Sequence, residues 1–226
     1  MLTLSLISGL ISAVCWMLGD IFLVGFDIEL ERHKDFLEGT EIKNKRMAVL
    51  MLSGSTPRLR FGALIANFSI PFMLCSVYSL YVMAEPSAWA IIAAILFGVG
   101  FSLSPVAHVA YYYVGTLCKT LFDEYKRSGK VSAAGESLVN EYIHFLDITW
   151  RAAIGITALG WIVYALLILF GKTSLPPLFC LFTPLTVSPL ALLVSKLRIG
   201  APYLNGAGFN VALTIFFAVA LAFHLM

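Results

Sequence analysis

The chain has 226 residues, of which 60% are hydrophobic and only 12% charged, with a net charge of +2 and a mean hydropathy of +0.90. Soluble domains carry about 25% charged residues, so this composition excludes a water-soluble fold. The basic residues are interleaved with acids, which leaves no basic arm for nucleic acid. The expected class is an all-α, polytopic membrane protein.

Six apolar runs have the ~20 residues needed to cross a ~30 Å hydrocarbon core. They cover residues 4–26, 61–83, 88–109, 152–170, 176–197 and 203–225. Together they predict one domain over 1–226, a bundle of six transmembrane helices with both termini on the same side.

The first span repeats small residues every fourth position, Ser5, Gly9 and Ala13 beside Ser8 and Ser12. Such a stripe lets helices approach closely in lipid, and it fits an internal neighbour or a homodimer equally. The start lacks a basic n-region, so the span is expected to remain in the mature chain. Asp20 lies near this seam; a carboxylate facing lipid costs on the order of 3 kcal/mol, so it should face the bundle or water.

Loop one, from Asp27 to Arg60, mixes seven basic residues (Arg32, Lys34, Lys43, Lys45, Arg46, Arg58, Arg60) with six acids. Its apolar stretch Met47–Leu52 is too short to span and predicts a short amphipathic helix under the headgroups. Span two follows with Asn67 and Pro71. In span three, Trp89 and the run Tyr111, Tyr112, Tyr113 are separated by roughly the hydrocarbon thickness and read as outer and inner aromatic belts. Ser104, His108 and Tyr112 share one face, and Pro105 frees the carbonyl near residue 101.

That helix should run past the membrane to Arg127, with Ser128-Gly129 ending it. An amphipathic helix then carries Glu141, His144, Asp147 and Arg151 on a polar stripe into span four, with Arg151 at the membrane interface. Neither loop is long enough to bury a core of its own. Span five holds Pro184, Pro189 and Ser195, and span six holds Asn210.

Fourteen of the fifteen Lys and Arg residues fall on one side of this topology. Loop three adds Lys119, Lys126, Arg127, Lys130 and Arg151, and loop five adds Lys196 and Arg198, whereas the other side has only Lys172. Basic loops resist translocation. The prediction is a multi-pass plasma (inner) membrane protein, with loops 1, 3 and 5 cytoplasmic and both termini outside.

Counted by depth at ~1.5 Å per residue, Asp20, Asn67, His108, Ser195 and Asn210 all fall in the inner third of the bilayer. A cavity open to the cytoplasm is expected, lined by Asp20, Asn67, His108, Tyr112 and Asn210 and closed on the outside by apolar packing. Asp20 and His108 are the candidate proton-handling pair, and Asn67, Tyr112, Ser195 and Asn210 the candidate ligand-binding residues. The alternative for Asp20 is a structural ion pair with Arg151, Lys196 or Arg198.

The matching function is binding, with or without processing, of an amphiphilic or lipid-like small molecule. A proton-coupled transporter and a non-catalytic accessory subunit, docking a partner through the cytoplasmic helices, are the alternatives. No cofactor or metal is expected: the cysteines are scattered singly, and the one Glu-x-x-His, at Glu141 and His144, lacks a second half.

Overall fold

The computed structural model describes residues 1–204 and 206–226, without the side chains of Ser195 and Lys196. The described residues are helical, with no strand among them. They form α1 (Leu2–Val24), α2 (Lys34–Glu38), α3 (Lys45–Ser53), α4 (Thr56–Phe68), α5 (Ile70–Val82), α6 (Ala88–Ser128), α7 (Ala133–Leu169), α8 (Pro184–Lys196) and α9 (Gly208–Leu225). Side-chain caps start several of them. Asn44 accepts from Met47 N at 3.0 Å, and Ser87 accepts from Ala90 N at 3.2 Å, each satisfying a free first-turn amide.

Among the described residues, five segments are long and apolar enough to cross a membrane: α1, α4 with α5, α6, α7 and α9. The sixth expected span is interrupted. A 3-10 turn over Pro177–Phe182 precedes α8, and α8 alone, at about 20 Å, is shorter than a hydrocarbon core. Pro176 and Thr183 each precede a proline and are extended, with ψ of 154° and 153°, because the following ring disfavours the helical region. The second span is interrupted differently, at Ser69, which stays in the helical region with φ of −85° and ψ of −6° between α4 and α5, and Pro71 lies in the first turn of α5.

Helix α1 sits among α4, α5, α6 and α9. Its small residues are the contact surface: Ser5 Oγ donates to Cys75 O at 2.7 Å, and Ser12 Oγ donates to Ser69 O at 2.9 Å. Gly19 and Gly62 let α1 and α4 touch backbone to backbone, since a Cβ on Gly62 would lie 2.8 Å from Gly19 O. The seam foreseen in the first span is thus filled by the chain itself.

Helices α6 and α7, 41 and 37 residues long, pair along their length and join at Gly129, whose φ of 69° is the left-handed C-cap that glycine accepts freely. At one end of the bundle Ser174 N donates to Met83 O at 2.7 Å and Glu85 N to Lys172 O at 2.9 Å. Lys172 also pairs with Glu85 at 3.0 Å. Thr3 and His224 meet within 3.1 Å, so both termini reach one end.

The opposite end departs from expectation. The two polar segments, each too short for a core, bury one jointly: Phe36, Ile42, Val49 and Met51 pack with Val114, Cys118, Leu121, Val139 and Leu146 of the α6–α7 hairpin. The apolar face of α3 is therefore turned onto protein. Asn140 clasps the adjoining segment of chain, accepting from Lys43 N at 2.8 Å and donating to Glu41 O at 3.0 Å. Two cations cap helix ends here, where the carbonyls are unpaired and the dipole is negative. Arg58 Nη2 donates to Ile21 O at 2.9 Å, and Lys119 Nζ donates to Met51 O at 2.7 Å.

Candidate polar cavity between α1, α6, α7 and α9

A cavity of about 630 Å³ opens at the end of the bundle remote from the termini. Asp20 reaches it from α1, His108 from α6 and Asn210 from the first turn of α9. Asn210 Nδ2 donates to Asp20 Oδ2 at 2.6 Å, and His108 Nε2 lies 3.5 Å from Asp20 Oδ1. The side chains of His108 and Asp20 are only 9% and 15% exposed, which raises the weight of every polar contact they make.

The hydrogen bonds restrict where the proton sits. His108 Nδ1 lies 3.0 Å from Ser104 O, and a carbonyl only accepts, so Nδ1 carries the hydrogen. Nε2 is then the atom that gains or loses a proton, and it faces a carboxylate oxygen. A single proton placed between Nε2 and that carboxylate oxygen would satisfy both atoms.

Toward the end with the termini the cavity is roofed by rings. Trp16 meets Phe101 at 5.8 Å, Phe101 stacks on Phe97 at 5.6 Å, Phe97 meets Trp161 at 4.9 Å and Trp161 meets Phe216 at 4.7 Å. All five are buried. Trp16 also donates its Nε1 hydrogen to Ala66 O at 3.1 Å, which fixes the ring that touches His108.

Of the residues singled out in the sequence, Asp20, His108 and Asn210 come together. Asn67 does not: its Nδ2 is held by Ala63 O, one turn back in its own helix, at 2.7 Å. Tyr112 is not among the residues that line the cavity and packs against Leu23, Phe26, Leu59 and Ala63. Tyr111, assigned to the aromatic belt, lines the cavity instead. Ser195 lies outside the described side chains.

Trp89 and Tyr113 point outward, as belt residues should. Arg151 pairs with Asp147 at 2.8 Å and Arg198 with Asp27 at 3.3 Å, so neither is the partner of Asp20. Sequence reasoning missed Thr157 and Phe209 on the cavity wall. Thr157 is a single small hydroxyl in a span otherwise read as apolar, and Phe209 looks like any lipid-facing apolar residue.

A bundle with five segments able to cross a membrane, enclosing a buried acid, imidazole and amide, defines the class as helical and of membrane-spanning composition. The chain belongs to a family of unknown function, DUF6796, whose model matches residues 2–225. No curated protein and no solved structure matches it.

Proposed function

We propose that this chain is a multi-pass plasma-membrane protein whose cavity, open to the cytoplasm, binds an amphiphilic or lipid-like small molecule at Asp20, His108 and Asn210. The observation that carries the reading is the convergence of these side chains from three helices on one 630 Å³ cavity. Small-molecule sites commonly occupy about 300–1,000 Å³, apolar in most of their lining with a few convergent polar groups. An uncharged-looking bundle would not keep an acid at this depth without a task or a partner for it.

The six-crossing topology belongs to the same proposal. The 3-10 turn and α8 together extend about 32 Å, counting ~2 Å and ~1.5 Å per residue, enough for a broken crossing. Contacts between residues 83–85 and 172–174, and on the opposite end between Asp27 and Arg198 and between Glu41 and Asn140, support sorting the basic loops onto one side. Basic residues then place that side in the cytoplasm.

Native mass spectrometry of the gently solubilised protein beside Asp20→Asn tests the binding reading. The expected result is a reproducible non-protein mass on the wild type that is lost from the variant. Bare protein in both spectra, with a less stable variant, would reduce Asp20 to a structural tie.

A second reading, proton-coupled transport, draws on His108 Nε2 facing Asp20 Oδ1 at 3.5 Å, a distance across which a proton can pass. It needs a route through the aromatic roof. Uptake into proteoliposomes abolished by Asp20→Asn would favour it over binding alone.

A further inference from the structure

We infer that Asp20 and His108 hold one proton between them and that the cavity takes a protonated amine, the ammonium group of an amphiphile bridging the pair in exchange for that proton. This rests on the cavity being a binding site for an amphiphile and names the chemical class that fits it.

The argument starts from the two facing atoms. With Nδ1–H committed to Ser104 O, a neutral His108 presents only the lone pair of Nε2, and an ionised Asp20 presents only lone pairs. Two acceptors 3.5 Å apart repel unless a donor lies between them. A proton satisfies the pair, and so does a group that carries positive charge and N–H donors together. A carboxylate or phosphate would add a third acceptor, and an alcohol brings a donor without the charge that Asp20 requires.

The walls favour the same ligand. Trp16, Phe26, Tyr111, Trp150 and Phe209 line the cavity, and aromatic faces attract ammonium groups most strongly where water is excluded. The hydrocarbon part of an amphiphilic amine finds Ile154, Leu50 and Val24 on the same walls.

The charges facing the site were taken from every element around it. Helix α1 and the turn after it give Asp20 and Asp27, α6 gives His108 and Tyr111, and α3 gives Arg46. Helices α7 and α9 give no titratable side chain to the lining. Asp27 is paired with Arg198. Arg46 is exposed to solvent, where its charge is screened by water. Asp20 is left as the buried charge that a cation must meet.

The test is isothermal titration calorimetry of the wild-type protein in nanodiscs of zwitterionic lipid, with empty nanodiscs subtracted. The probes are octylamine, octyltrimethylammonium, octanoate and octanol. Octylamine stays protonated below about pH 10, as a lysine does. It should bind one saturable site at least tenfold tighter than the other three, because the quaternary analogue keeps the charge but lacks the N–H donors. Its affinity should fall on acidification, approaching about tenfold per pH unit where the pair holds its proton. Heats measured in two buffers of different ionisation enthalpy should show up to one proton released per amine bound.

Octanoate or octanol binding as tightly as octylamine would overturn the amine class while leaving an amphiphile site standing. Amine binding without pH dependence or proton release would overturn the exchange at Asp20 and His108. No saturable binding by any probe, together with bare protein in native mass spectra, would overturn both this inference and the reading beneath it. None of these comparisons requires a variant to fold.

Discussion

Asn210 donates to Asp20 across 2.6 Å and thereby ties the last helix to the first, 190 residues apart in the chain. The bond does two things. It holds one carboxylate oxygen fixed, so that the other is presented to His108, and it closes α9 onto α1 beside the cavity.

A double-mutant cycle on Asp20→Leu and Asn210→Leu should return a coupling of about 1 kcal/mol, within the ~0.6–1.7 kcal/mol measured for hydrogen bonds between membrane helices. Thermal or denaturant unfolding in detergent supplies the four stabilities. Strict additivity would mean that the contact contributes nothing to holding the helices together.

Much of the helical layout was legible because hydropathy reports burial in lipid directly. The Ser128-Gly129 stop and the unbroken passage of α7 into the fourth span could be read from chain chemistry alone. Depth counting likewise gathered Asp20, His108 and Asn210. Rotation about a helix axis was not legible: from Ser104, both i+7 and i+8 lie on one face, and packing against α1 and α4 brought Tyr111 rather than Tyr112 to the cavity. Asn67 was lost to its own helix backbone, a competition that spacing cannot decide. The joint core of loop one and the α6–α7 hairpin depends on two segments meeting: each reads as amphipathic, but nothing in either says that its apolar face is covered by the other rather than by headgroups. Pro184 and Pro189 read as kinks, yet Pro189 lies inside a helix that continues through it, while Pro177 and Pro184 each follow an extended residue and divide the span.

The contact of Gly62 with Gly19 predicts an asymmetry between glycines. Gly62→Ala pushes a Cβ to 2.8 Å from a backbone oxygen, and such overpacking costs about 1–3 kcal/mol. Gly98→Ala meets nothing within 4 Å and should leave the unfolding midpoint unchanged or raised. Equal effects of the two would refute the close approach of α1 and α4.

Asn140 predicts a local, separable effect. In Asn140→Ala the amide of Lys43 loses its acceptor and should exchange with deuterium about fivefold faster or more, since an amide hydrogen bond contributes about 1 kcal/mol or more. Asn140→Asp keeps the acceptor for Lys43 N but loses the donor to Glu41 O, so protection at Lys43 should largely return.

His33 predicts a pH response in the same region. Burial, with the neighbouring Arg32 adding to it, lowers its pKa from the ordinary 6.5, and its ring rests on Phe122 at 5.0 Å. Above 6.5 the imidazole is neutral whether the segment is folded or not. Below 6.5 the unfolded segment takes up a proton that the folded one resists, so stability is lost as pH falls through the window between 6.5 and the lower folded value. Protection factors across residues 33–38 should drop between about pH 7.5 and about pH 5.5, and His33→Phe should flatten the change.

The central claim is that water reaches Asp20 and His108 from the side of the basic loops and not from the other. Ser104 lines the cavity, one turn from His108, and is close in shape to cysteine. With Cys15, Cys75, Cys118 and Cys180 replaced by serine or alanine, Ser104→Cys should react with a charged, membrane-impermeant thiol reagent in inside-out vesicles. It should stay unreacted in right-side-out vesicles, where Thr173→Cys serves as the positive control. Labelling of Ser104→Cys from the Thr173 side, or from neither side, would contradict the account.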